Sequence, residues 1–304
     1  MIQACINGEI AVVKSLITKF KANVNFRDGD TLDTPLLEAA KSGLMEVSKT
    51  LLQHGAEIEL GDATGATALF YAAKHGNQKL AEFLITKGAE IEHRNIYGMT
   101  PLLAACKFGQ FEVVEKLLEF KADINSSDIY GHTPLIAAAY HGHCEIVKLL
   151  LTQQGIKVDA KDECGWTALI SAVFHNHFHV TKTLVEFGVK VNQVEDHGLS
   201  ALFFAIKNNN LELCEYLLQY EADPNIKTNE IYAYYCSETE KSVEIGASWT
   251  PLMFACSVGK IDFIKCLLEH GADSRPTSVD GKTAFDLAPK NDLDLKKLLN
   301  IGSK

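Results

Sequence analysis

The sequence predicts an all-α repeat solenoid, a stack of helix-turn-helix units carrying β-hairpin fingers. Three observations carry that prediction: a block that returns at a fixed interval, helix start and stop residues at matching places in each block, and a polar turn between blocks. The residues that open the blocks are Thr34, Thr67, Thr100, Thr133, Thr167, Ser200, Thr250 and Thr283, at steps of 33, 33, 33, 34, 33, 50 and 33 residues. A constant period with one 17-residue excess describes units that bury their apolar faces only against neighbours.

Each element has a local cause. The opening Thr or Ser suits a helix N-cap, where its hydroxyl accepts from an otherwise unpaired backbone amide. Pro35, Pro101, Pro134 and Pro251 follow in the first turn, where the missing N–H costs nothing, and Ala68, Ala168, Ala201 and Ala284 replace them elsewhere. Small residues such as Ala104, Ala105 and Cys106 then let helices approach closely. A glycine at 43, 76, 109, 142 and 259 stops this first helix in the left-handed conformation, and Asn176 and Asn209 take the same place in two units. A second helix follows, with apolar residues at helical spacing such as Val113, Val114, Leu117 and Leu118. Beyond it come a short extended piece and a polar turn, such as Asp62-Ala63-Thr64-Gly65.

These blocks closely resemble the ankyrin repeat family, whose helical core reads T-P-L-H-x-A-A, then a glycine and a second helix. The resemblance runs from about Ile2 to about Leu299. The expected organisation is a single array over 1–304, with units at about 1–28, 29–62, 63–95, 96–128, 129–162, 163–195, 196–228, 248–277 and 278–304 and an insertion at 229–247. The first unit begins inside its first helix. The last, ending near Lys296 and Lys297, reads as a polar cap. The insertion holds Tyr232, Tyr234, Tyr235 and Cys236, a polar run, then Val243 and Ile245, which fits either a long hairpin or a surface loop.

Composition narrows the function. A formal charge of −10 argues against nucleic acid and against anionic membrane surfaces. Apolar runs are far shorter than the roughly 20 residues that span a bilayer, and the N-terminus does not read as a signal peptide. Eight cysteines without paired spacing suit a reducing compartment, so the expected location is the cytoplasm or the nucleus.

No phosphate-binding loop, dinucleotide fingerprint or hydrolase motif stands in the chain. The stretch FHNHFHV offers His175, His177 and His179 for a metal. They straddle a helix break and point apart, however, and no CxxC supplies a ligand pair. The expectation is no metal, no cofactor and no enzymatic activity. Cys5, Cys106 and Cys256 share a small-residue slot in the first helix, where a buried thiol fills space.

The resemblance implies that fingertips and the ends of first helices face a concave groove. Carried onto this chain, those slots hold Tyr97, Met99 and Phe108, then Tyr130, His132, Tyr140 and His141, then Trp166, Phe174 and His175, then Leu199, and Trp249 beyond the insertion. Exposed Tyr, Trp and Met with few charges is the make-up of a protein-binding hot spot. The competing account is that finger aromatics pack on one another along the stack. Leu117, Asp123, Ile124 and Asn125 also match the pattern favoured by the asparaginyl hydroxylase that modifies ankyrin repeats, which makes Asn125 a candidate modification site. The other reading of Asn125 is a finger-base residue that satisfies the backbone.

The leading expectation is a monomeric, non-enzymatic scaffold or adaptor that grips a protein or peptide partner by apolar anchors. The alternative is the targeting arm of a larger protein, such as a ubiquitin-ligase adaptor or a kinase.

Overall fold

The computed structural model describes residues 1–230, 232–236, 241–289, 295–296 and 298–299. Lys297 of the expected cap, and the side chains of Tyr232, Tyr234, Tyr235, Cys236 and Val243 in the insertion, lie outside the described residues. The chain divides into two compact units, Met1–Val158 and Asp159–Lys304.

In the first unit five helix pairs follow in order: α1 (Ile2–Ile6) with α2 (Ile10–Thr18), α3 (Pro35–Lys41) with α4 (Met45–Gln53), α5 (Ala68–Lys74) with α6 (Gln78–Thr86), α7 (Pro101–Lys107) with α8 (Phe111–Glu119), and α9 (Pro134–Tyr140) with α10 (Cys144–Leu151). Within this unit each first helix packs on the next, α1 on α3, α3 on α5, α5 on α7 and α7 on α9. The close approach follows from the small residues: Ala72, Ala73, Ala104, Ala105, Cys106, Ala138 and Ala139 are all fully buried.

In the second unit α11 (Ala168–Phe174) pairs with α12 (Phe178–Phe187), α13 (Ala201–Lys207) with α14 (Leu211–Gln219), and α15 (Pro251–Ser257) with α16 (Ile261–Glu269), before the short α17 (Ala284–Leu287). The insertion forms an antiparallel pair, β1 (Tyr232–Cys236) against β2 (Lys241–Ile245), with Tyr232 opposite Ile245 and Cys236 opposite Lys241. Of the two readings of that segment, the hairpin is the one seen. No helix among the described residues is long and apolar enough to cross a membrane.

The caps form as the sequence dictates, with one exception. The hydroxyls of Thr34, Thr67, Thr100, Thr133, Thr167 and Thr250 each accept from the backbone N–H three residues on. Thr283 and Asp286 complete a reciprocal capping box. Ser200 makes no such bond, and its buried hydroxyl has no hydrogen-bond partner among the described residues. The first-helix stops are left-handed at asparagine as at glycine, with φ of 61° at Asn176 and 56° at Asn209. The second-helix stops show something the sequence did not announce: Lys121 (φ 67°) and Glu221 (φ 65°) hold the left-handed position that Gly55, Gly88 and Gly155 fill in other repeats.

Candidate protein-binding face

Five fingers, at Asp62, Asn95, Asp128, Asp162 and Glu195, are each built around one side chain that accepts two backbone amides. Asn95 Oδ1 takes the N–H groups of Tyr97 and Met99, both at 3.0 Å. Asp128 Oδ1 takes those of Tyr130 and His132, both at 2.9 Å, and its Oδ2 receives the His132 Nδ1 proton at 3.1 Å. The side chain thereby fixes the turn. Tyr97 is 45 % exposed and Tyr130 55 %. The Ile129 N–H donates to the Tyr97 carbonyl at 3.0 Å, which ties one finger to the next.

The ends of the first helices supply the floor. Phe108 caps α7 and Tyr140 ends α9, both partly open to solvent, with His141 beside Tyr140 at a ring separation of 4.8 Å. Between finger and helix lies a pocket of about 240 Å³ lined by Met99, Leu103, Lys107, Asp128, His132, Ala137, Tyr140 and His141. Four sequence-predicted candidates, Met99, His132, Tyr140 and His141, thus converge on one cavity. Tyr97, Phe108 and Tyr130 stand on the same fingers and helix ends without lining it. Met99 also packs on the buried cluster of Ala66, Phe70 and Ala104, so its position is set by the core.

In the second unit the aromatics pack together. Trp166 lies 4.6 Å from Phe174 and 5.4 Å from Phe204 between ring centroids, and Phe174 lies 5.3 Å from Phe204. Lys207 Nζ stands 4.8 Å above the Phe174 ring, and burial pulls its pKa below the usual lysine value. Trp166, Phe174 and His175 are therefore half-buried rather than open. His175 donates from Nδ1 to the Ser171 carbonyl at 3.0 Å, and burial lowers its pKa.

Leu199 and Trp249 correct the expectation of an open face. Leu199 is 1 % exposed: Glu195 turns its carboxylate to the amides of His197 and Leu199, and the turn closes over the leucine. Trp249 is buried because its indole lies against Gly246, where an added β-carbon would meet Nε1 at 2.1 Å. The turn that returns the inserted hairpin to the array covers the indole. A side chain at the far end of a finger turn faces either way, and the sequence pattern alone does not choose.

Other candidate groups are accounted for by structure. Asn125 bridges to the following repeat, donating from Nδ2 to the Gly155 carbonyl at 2.9 Å while Oδ1 accepts from the Lys157 N–H at 2.9 Å. Cys5, Cys106 and Cys256 are buried and Cys164 is exposed. Glu59, Glu90 and His93 bring one ligand atom each within 4.8 Å of one another; His93 Nε2 is held by the Gly65 carbonyl, and Nδ1 lies 3.4 Å from Glu59 and 3.7 Å from Glu90. A larger groove of about 550 Å³ lies beside α16, but its Arg275 is already paired with Asp273 at 2.9 Å.

A family model for ankyrin repeats matches residues 1–95, 87–162, 155–228 and 231–303, and the chain belongs to the ankyrin-repeat family. Such repeats generally mediate protein–protein interaction. Over 66 residues, 22 % of this chain, the sequence is 41 % identical to the palmitoyltransferase AKR1 of Lachancea kluyveri. The matched segment spans 9 % of that relative's length.

Proposed function

We propose that this protein is a non-enzymatic scaffold or adaptor that binds a protein or peptide partner on its finger and first-helix face. The observation that carries the reading is the Met99–Tyr140 pocket with Phe108 and Tyr130 exposed beside it. A preformed apolar recess among rigid aromatic side chains is where binding energy concentrates, with about 2 kcal/mol or more lost on truncating a central anchor. Trp166 and Phe174 offer a second, more buried aromatic surface in the other unit. The partner presents apolar anchors, the array acts as a monomer, and it works in the cytoplasm or nucleus.

The test is affinity capture by the wild-type chain and a Tyr130→Ala/Tyr140→Ala variant whose fold is checked by circular dichroism. Specific partners should be lost from the folded variant. Undiminished capture would overturn the proposal.

A second reading, the targeting arm of a larger protein, is favoured by the small share that the matching repeats occupy in the much longer relative. Asn125 is proposed as a modification position on the strength of its surrounding motif. Modification requires its bridge to Gly155 and Lys157 to open, and intact-mass detection of one added oxygen tests it.

A further inference from the structure

Lys41, Lys74 and Lys107 occupy one position in three successive repeats, the last residue of α3, α5 and α7. In a chain of net charge −10, three cations in register run against the bulk composition. Lys41 is engaged by Asp33 at 2.6 Å and Glu38 at 2.8 Å, and it stands 4.9 Å over the Tyr71 ring. Lys74 stands 5.1 Å over Phe108. Among the described residues neither Lys74 nor Lys107 has a carboxylate partner. An aromatic face holds an ammonium in place without neutralising it.

This row leads into the pocket described above, with Lys107 in its lining and Met99, Leu103 and Tyr140 as apolar wall. Its volume of about 240 Å³ falls below the ~300–1,000 Å³ of small-molecule sites, so it suits one bulky side chain better than a metabolite. The pocket's one carboxylate, Asp128, is already taken up by two backbone amides and His132. Packed helices lie ~8–10 Å apart, so the row from Lys41 to Lys107 extends roughly 20 Å. An extended peptide covers that in about six residues at ~3.3 Å each.

Resting on the protein-binding reading above, we propose that this face takes an extended acidic peptide. Its aspartate or glutamate side chains meet Lys74 and Lys107, and an adjoining bulky apolar side chain enters the Met99–Leu103–Tyr140 pocket. A peptide is favoured over nucleic acid because, among the described residues, this row offers two cations without a carboxylate partner, the pocket wall is apolar, and the remaining charge of the protein repels a long polyanion.

The test is display selection of random dodecapeptides on the full chain, run in parallel on Lys74→Glu/Lys107→Glu and on Tyr140→Ala, with folding checked by circular dichroism. The wild type should enrich sequences with acidic residues next to a bulky apolar one. A fluorescein-labelled winner should bind the lysine double variant at least tenfold more weakly and lose affinity as salt rises. Enrichment of apolar sequences without acidic excess, or binding indifferent to the lysine pair, overturns the acidic assignment and leaves the protein-binding reading standing. Winners that Tyr140→Ala retains, or no winners at all, overturn both. Displacement of the labelled peptide by a single-stranded oligonucleotide at equal concentration overturns the choice of peptide.

Discussion

The imidazole of His143 occupies the space that a β-carbon on Gly109 would fill. That carbon would lie 2.7 Å from His143 Cε1, and His143 Nε2 donates to the Lys107 carbonyl at 3.1 Å. The glycine thus serves two needs, a φ of +75° and room for the next repeat to satisfy a helix-end carbonyl. Gly109→Ala is expected to cost about 1–2 kcal/mol from backbone strain alone, with more from displacing His143. Urea unfolding of Gly109→Ala, His143→Ala and the double variant checks this. The double variant should lose less than the sum of the single losses, because the clash is shared.

Thr133 and Ser200 open equivalent repeats with unequal chemistry. Thr133 Oγ1 accepts from the Ile136 N–H at 3.3 Å, whereas the Ser200 hydroxyl is buried without a partner among the described residues. Thr133→Ala should cost about 0.5–2 kcal/mol, and Ser200→Ala should be neutral or stabilising. Equal losses in chemical denaturation would show that the Ser200 hydroxyl finds a bond after all.

Lys121 holds a φ of 67° at a helix stop where glycine serves in neighbouring repeats. Lys121→Gly removes a strain of about 1–2 kcal/mol and adds freedom to the unfolded chain, for a net gain of about 0.5–1 kcal/mol. A higher urea midpoint at unchanged slope is the expected result.

His197 gives a pH dependence with a fixed sign. Its Nδ1 lies 2.8 Å from Glu195 Oε2, and that hydrogen bond raises its pKa above the usual 6.5. A raised folded pKa adds stability that is fully present below the unfolded value and is lost as pH climbs through the folded one. The contribution is small because the imidazole is well exposed. Stability measured from mildly acidic to mildly alkaline pH should fall less steeply in His197→Gln than in the wild type.

The fold was legible because its determinants are local. Threonine caps, left-handed stops at Gly or Asn, and apolar spacing such as Val113, Val114 and Leu117 each act within one turn of chain. The face was legible in part. Tyr97, Phe108, Tyr130 and Tyr140 stand exposed, but Leu199 turned inward under its own finger and Trp249 lies buried against Gly246. Trp166 and Phe174 share a third ring, Phe204, from the next repeat, and such contacts depend on rotamers that periodicity does not encode. The second-helix stops at Lys121 and Glu221 were missed because neither residue type announces a left-handed backbone.

Thr228 makes the inserted hairpin a closed detour. Its N–H donates to the Trp249 carbonyl at 3.0 Å, its hydroxyl donates to the Gly246 carbonyl at 2.7 Å, and its carbonyl accepts from the Ser248 N–H at 2.9 Å. The chain leaves and re-enters the array at one clasped point, in the place where Asp62 elsewhere closes a four-residue turn onto Ala66. The clasp sets the excursion apart from the count of the repeats, while Ile245, 2 % exposed, ties its return strand to the core. Thr228 acts as a splice junction: the repeat register before it resumes after Trp249, with the inserted residues looped out between two points that touch.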